Sequence, residues 1–314
     1  MSQDGQADSG VSAVGGMTPK TKLWRSKAVT IIAGFKCSDG VVICADTQET
    51  LGSAKRDVPK LRFEPSDPAT EVEDNHSNLA AAFCGAGHGP FIDKIVSEAW
   101  KAAKDQNNIS DVCDAIEKSI RNQYRDFGNI YQQGSCPEVQ LIFGVKMNGA
   151  SRLFSASGPI VNEKFGFDSG GIGHYMADFL AEKMHHSQMT SMQCAILAAY
   201  VLLEAKRHVD GCGGDSQIAV LRNRSTSGII DWIRIHKITE LVEVADDTAS
   251  EIMMAIANAD ESDTKMAEEI DFRLGLMHQL RTRIRDEIKR QEDPEFYKSR
   301  DFLGLPLPKD YKAK

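Results

Sequence analysis

Three residues near the start of the chain have the types and spacing to do chemistry together. Thr30, Asp46 and Lys60 supply a hydroxyl, a carboxylate and an ammonium. A hydroxyl is a weak nucleophile at neutral pH, and a neighbouring base or cation activates it by taking its proton or lowering its pKa. Whether the three meet depends on the stretch between them. Val29 to Phe35 and Val41 to Ala45 are β-rich runs on either side of Lys36 to Gly40, and the Ser38-Asp39-Gly40 tip signals a hairpin because glycine tolerates positive φ. Thr30 then opens one strand and Asp46 closes its partner, so the two come alongside each other at one end of an antiparallel pair. Lys60, one short segment later, can join them.

The rest of the chain must position that end. With 314 residues, 41% of them hydrophobic, it can bury one large core or two smaller ones. A net charge of −8 and a pI near 5.6 argue against a nucleic-acid surface. The longest apolar run, Cys194 to Leu203, falls well short of the ~20 residues of a membrane span, so no contact with the bilayer interior is expected. The seven cysteines are odd in number and include no CxxC pair, which reads as free thiols in a reducing cytoplasm rather than a zinc site. No metal or cofactor is expected. Met1 to Met17 is rich in Gly, Ser, Asp and Gln and lacks an export signal, so residues 1–27 read as a disordered tail or a propeptide. Lys20, Lys22, Arg25 and Lys27 around Trp24 read first as a solvated linker, with a propeptide as the rival reading.

Downstream of Lys60, Phe63 to Asn78 reads as a polar loop and Leu79 to Phe83 as a short buried strand. The strand runs into Cys84-Gly85-Ala86-Gly87-His88-Gly89-Pro90, ahead of a helix from Phe91 to Asp105. A dinucleotide fingerprint would need glycine where Pro90 stands. His88 reads as a turn or rim histidine. A second helix spans Ile109 to Tyr131, with Val112, Ile116, Ile120 and Tyr124 on one stripe. Val139 to Met147 and Ser151 to Ser157 form a hairpin about Asn148-Gly149, and Val161 to Phe167 adds a strand. Helices follow at His174 to His186, with His185-His186 solvated, and at Gln188 to Val209. Strands are expected at Gln217 to Leu221 and Ile229 to Ile235. The sum is an α+β order with helices covering stacked sheets. From residue 237 to 314 the chain reads as a helical extension, whose helix Asp263 to Gln291 carries Ile270, Leu274, Met277, Leu280, Ile284 and Ile288 on one stripe. Pro306 to Lys314 reads as an extended end.

The run from Thr30 through Asp46 to Gly52, followed by Lys60, resembles the start of proteasome-type subunits: the N-terminal-nucleophile hydrolases of the 20S core particle, β-subunit type, and their bacterial relatives. The resemblance covers residues 28–236 and implies a four-layer αββα sandwich. It also implies a threonine endopeptidase acting in protein catabolism, with Thr30 as nucleophile once residues 1–29 are removed. Lys60 would lower the pKa of the nucleophile, Asp46 would orient Lys60, and the Gly85 N–H would hold the oxyanion. Asp210, Cys212 and His174 would stand at supporting positions, the latter two where the family carries serines. Peptide or unfolded-protein substrates and a homo-oligomeric ring, or other proteasome-type subunits, are the implied partners. Val29 departs from the glycine that self-cleaving members place before the threonine. Two other readings therefore stand beside the peptidase: a silent assembly subunit, and an amidase acting on a small amide.

Overall fold

The computed structural model describes residues 30–51, 54–65, 79–130, 136–224, 226–257 and 263–291. The tail at 1–29, the loop core at 66–78 and the end at 306–314 lie outside the described residues. The expected hairpin forms as β1 (Ile31–Cys37) and β2 (Gly40–Asp46), and Thr30 immediately precedes β1. Where the sequence suggested only a loop before Lys60, a small second hairpin stands instead, β3 (Gln48–Leu51) and β4 (Ala54–Asp57). Then come β5 (Leu61–Glu64), β6 (Ala80–Gly87), α1 (Gly89–Ala103) and α2 (Ile109–Ile130). His88 caps α1, its Nδ1 accepting the Phe91 N–H at 3.3 Å.

Three strands follow in a meander, β7 (Val139–Met147), β8 (Ala150–Ser157) and β9 (Ile160–Lys164), ahead of β10 (Phe167–Gly171). Asn148 and Gly149 both have positive φ, 52° and 74°, as a two-residue turn between right-twisted strands demands. The run expected as one strand up to Phe167 is therefore split. β9 is the edge of one sheet and β10 the edge of another. Next are α3 (His174–Met184), α4 (Ser191–His208), β11 (Ser216–Arg222) and β12 (Gly228–Ile229). α4 starts with a capping box between Thr190 and Gln193 and ends on Lys206, Arg207 and His208, which suit the negative end of its dipole. The expectation that His185 and His186 are both solvated is corrected. His186 is exposed, whereas His185 is half-buried beside Phe35 and Phe167, with ring centroids 5.9 and 5.8 Å away and its Nε2 2.9 Å from the Lys36 carbonyl.

The strand expected over Ile229 to Ile235 is corrected. Only Gly228 and Ile229 pair, and α5 (Trp232–Ala257) begins three residues later. Asp231 decides this, because its Oδ1 accepts the Arg234 N–H at 3.0 Å and so caps the first turn. The boundary expected between residues 236 and 237 falls inside α5. The last described helix is α6 (Asp263–Gln291).

Among the described residues the fold is mixed α/β, with six helices and three antiparallel sheets ordered β10-β1-β2-β11-β12, β3-β4 and β5-β6-β7-β8-β9. Strand alternation sorts the apolar side chains of the two large sheets into three clusters. Ile31, Ala33, Phe35, Val42, Cys44, Ile218 and Val220 pack with α3, α4 and α5. The opposite face of the same strands, Ile32, Val41, Ile43, Ala219 and Leu221, meets Ala80, Ala82, Cys84 and Ile142 from the other sheet. That sheet's remaining face, Phe83, Leu141, Phe143 and Val145, packs on α1 and α2. β1, β2 and β6 are thus apolar on both faces, as buried strands are. Gly34 lets the sheets approach, since a Cβ there would lie 2.6 Å from Ile142 Cγ2.

Candidate active site

The open end of the β1–β2 hairpin brings together the three residues that the spacing singled out. Thr30 Oγ1 donates to Asp46 Oδ1 and accepts from Lys60 Nζ. Lys60 Nζ also donates to Asp46 Oδ1 at 2.7 Å and to the Gln48 carbonyl. Asp46 is fully buried, and its second oxygen accepts the Gly213 N–H at 3.0 Å while Oδ1 also faces the Ile31 N–H at 3.3 Å. Burial pulls the Lys60 ammonium below its ordinary value against the opposing attraction of Asp46. A lysine so placed gives up a proton more readily than one in water.

Two polar residues that sequence reasoning missed hold this end. Gln217 Oε1 accepts from both the Lys60 N–H at 2.8 Å and the Leu61 N–H at 3.1 Å, fixing the backbone from which the lysine reaches Thr30. Its signal was a lone amide at the start of the apolar run Gln217-Ile218-Ala219-Val220. Lys206, in the last turn of α4, donates to Ser216 Oγ at 2.8 Å, and Ser216 is the register partner of Asp46. Burial lowers its pKa too, opposed by Asp46, Asp215 and Asp57.

The supporting residues fare differently. Cys212 is buried beside Ile31 and Gly173, and burial together with Asp46 pushes its thiol up to about 12, so it is a poor nucleophile at neutral pH. Asp210 is exposed. His174 is exposed as well, and its Nδ1 pairs with the Gly171 carbonyl at 2.9 Å rather than with Thr30. In this turn it is backbone that reaches the threonine, the Gly173 N–H donating to Thr30 O at 3.2 Å. Gly171, at φ 81°, lies so close to Thr30 O that a Cβ would clash.

Thr30 and Lys60 open onto a cavity of about 130 Å³ whose walls include Gly85, Phe83, Arg62 and Asp93. Gly85 stands on β6 one residue beyond the last pairing with β5, opposite Leu141 of β7. A side chain there would meet Ile92 Cγ2 at 2.6 Å and Leu141 Cδ2 at 3.0 Å. The rim is charged, with Arg62 paired to Asp93 at 2.6 Å.

With this geometry in view, the solved structures of similar shape can be weighed. A mutant of Anbu from a Hyphomicrobium species superposes with a TM-score of 0.55 at 15% identity, over 74% of this chain and 99% of that one. Anbu from the same source gives 0.53 at 14%, over 74% and 100%. Anbu from Yersinia bercovieri, described as an ancestral beta-subunit, gives 0.56 at 14%, over 74% and 99%. The chain has an Anbu-like fold. That finding corrects the expected kinship with the β-type subunits of the 20S core particle. The trio of Thr30, Asp46 and Lys60 marks the open end of this chain's own hairpin, and the similarity in shape extends to the fold alone. No protein-family model and no curated protein sequence matches the chain.

Proposed function

We propose that the chain is an Anbu-like N-terminal-nucleophile hydrolase that cleaves peptide bonds with Thr30. One observation carries this reading: the Thr30 hydroxyl is bonded at once by a buried carboxylate and a lysine of lowered pKa, at the mouth of a cavity walled by Gly85. A structural hairpin has no need of a buried lysine there, since taking a charge out of water costs several kcal/mol. In the reaction Thr30 Oγ attacks the substrate carbonyl, and the Thr30 amine, freed by removal of residues 1–29, takes the hydroxyl proton. Lys60 stabilises the developing alkoxide, Asp46 orients Lys60, and the Gly85 N–H receives the oxyanion. The amine then protonates the leaving nitrogen, and water releases the acyl group from Thr30.

The division proposed with this reading is a tail or propeptide over residues 1–27, a hydrolase domain over 28–236 folded as a four-layer αββα sandwich, and a helical extension over 237–314, with Ala28 and Val29 leaving together with the tail and α5 running across the second boundary. The three apolar clusters, each between two neighbouring layers, support the sandwich. Exposed Phe272, Leu274 and Leu276 on α6 support assembly of several copies. No described helix is long and apolar enough to cross a membrane, and the proposed setting is the cytoplasm.

Mass and N-terminal sequence of the purified protein, followed by turnover of fluorogenic peptides, test the proposal. The expected result is a chain beginning at Thr30 whose Thr30→Ala variant loses activity on the order of 10⁴-fold. A second reading, a catalytically silent assembly subunit, is favoured by Val29 before the threonine and by the outward-facing His174 and Asp210. A chain that keeps residues 1–29 in every preparation and turns over no peptide establishes that reading instead. Turnover of small amides alone would assign the same nucleophile to an amidase.

A further inference from the structure

Along the arm, α6 runs antiparallel to α5, as two ion pairs between them show: Arg273 with Glu251 at 2.6 Å and Arg283 with Glu240 at 3.2 Å. Met266, Ile270, Met277, Leu280 and Ile284, half-buried or buried, mark the side of α6 turned to α5. A second row winds along one flank of the same helix in steps of three and four: Lys265, Glu268, Phe272, Leu276, Gln279, Arg283 and Asp286. At 3.6 residues per turn all seven point within about 40° of the Phe272 direction. Asp286 is half-buried and the other six are exposed. Leu274 projects from the opposite flank.

Read in either direction, the charges of this row complement one another. Lys265 and Asp286 are equally far from a point between Gly275 and Leu276, as are Glu268 and Arg283, and Phe272 and Gln279. A two-fold axis through that point sets Lys265 against Asp286 and Glu268 against Arg283, each twice, over about 32 Å of helix. Phe272 and Leu276 then lie at the centre. A parallel pairing would set every charge against its like. The centre also has room, since a Cβ on Gly275 would meet nothing within 4 Å. Beside Glu268 a cleft of about 770 Å³ opens between the helices, where Met254 faces the carboxylates of Glu251, Glu268 and Glu269, with Lys265 and Arg273 as the only two cations among its walls. Three carboxylates and an apolar thioether suit the head and stem of an arginine. A guanidinium has five N–H donors, so Arg283 can bond Glu240 of its own α5 and a carboxylate of another chain together.

We propose that α6 pairs antiparallel with α6 of a second copy of this chain, about a two-fold axis between Gly275 and Leu276. The Arg283 of each copy enters the cleft beside Glu268 of the other, and Phe272 and Leu276 cover one another between the two charged ends. Such a contact is self-complementary and closes at two copies. It rests on the assembly of several copies proposed above and defines one contact within it. Leu274, outside this pairing, is left for the others.

The test is sedimentation of the full-length protein over a series of concentrations. Glu268→Arg and Arg283→Glu each set like charges together twice in one pair, and each is expected to lower the association constant about tenfold or more. The double variant Glu268→Arg/Arg283→Glu restores both pairs and is expected to associate as the parent does. An equimolar mixture of the two single variants is expected to do the same, because each supplies the charge that the other needs. Three results overturn the proposal: a parent that is monomeric at every concentration, single variants that associate as the parent does, or a mixture and a double variant that stay as weak as the single variants. The second of these leaves an assembly held by other contacts. Peptide turnover and the mass of the mature chain are read separately, so loss of this contact and loss of the Thr30 chemistry remain distinct outcomes.

Discussion

The Thr30 end of the β1–β2 hairpin and the α5–α6 arm solve the problem of contact with water in opposite ways. At the hairpin end, the carboxylate of Asp46 is completely buried and receives bonds from Thr30, Lys60 and Gly213. Along α6, Phe272 is 59% exposed and Leu274 54% exposed, whereas Ile284, on the same apolar stripe as Leu274, is buried. The first region is over-determined by polar bonds within one chain. The second carries more apolar surface than the described residues cover. Charge is thus spent where the chain closes on itself, and apolar area is left where a second body can close on it.

The most severe way to break this contrast is to remove Asp46. Asp46→Ala strands the Lys60 ammonium in a buried site, and denaturant unfolding is expected to lose about 3–5 kcal/mol. On the arm, Ile284→Ala is expected to cost about 2 kcal/mol, the low end for a buried isoleucine because its helix neighbours Arg283 and Arg285 are exposed. Gly85→Ala crowds Ile92 and Leu141 and is expected to cost about 1–3 kcal/mol, with loss of peptide turnover exceeding the loss of stability.

A pH series sharpens the contrast further. Lys60 and Lys206 both have folded-state pKa values lowered by burial, so the unfolded chain binds more protons in the window below the ordinary lysine value of 10.5. Stability contributed by these groups therefore rises as pH increases through that window and is lost as pH falls back through the folded values. Lys206→Met flattens this slope in urea midpoints measured across the alkaline range. The smallest effect belongs to Leu274→Ser, expected within about 0.5 kcal/mol of the parent in unfolding. Sedimentation at matched concentration is expected to show it less associated than the parent, as befits a contact between copies.

Local chemistry made the hairpins and long helices legible. Asp39-Gly40 and Asn148-Gly149 punctuate alternating runs, and Val112, Ile116 and Ile120 repeat at the helical period. From these the meeting of Thr30, Asp46 and Lys60 could be read. The run Ile229 to Ile235 misled because seven residues rich in isoleucine and tryptophan are too few for a period to distinguish strand from helix. Its real signal was the capping carboxylate of Asp231, two residues in. Gln217, Lys206 and His185 escaped for another reason. Gln217 and His185 bond residues 157 and 149 positions away, and Lys206, bonded to nearby Ser216, comes beside Asp46 only through the β2–β11 register, which no local window contains.

The amide of Gln217 that fixes the Lys60 backbone lies 157 residues further along the chain. At about 5–20 residues per second of synthesis, that separation is a delay of roughly 8–30 s. A nascent chain therefore carries its hydroxyl, carboxylate and lysine well before the strand that sets the lysine has emerged. On the proposed reading, the nucleophile stays unfinished until the strand that carries Gln217 has been made, an interval in which the growing polypeptide is spared its own chemistry.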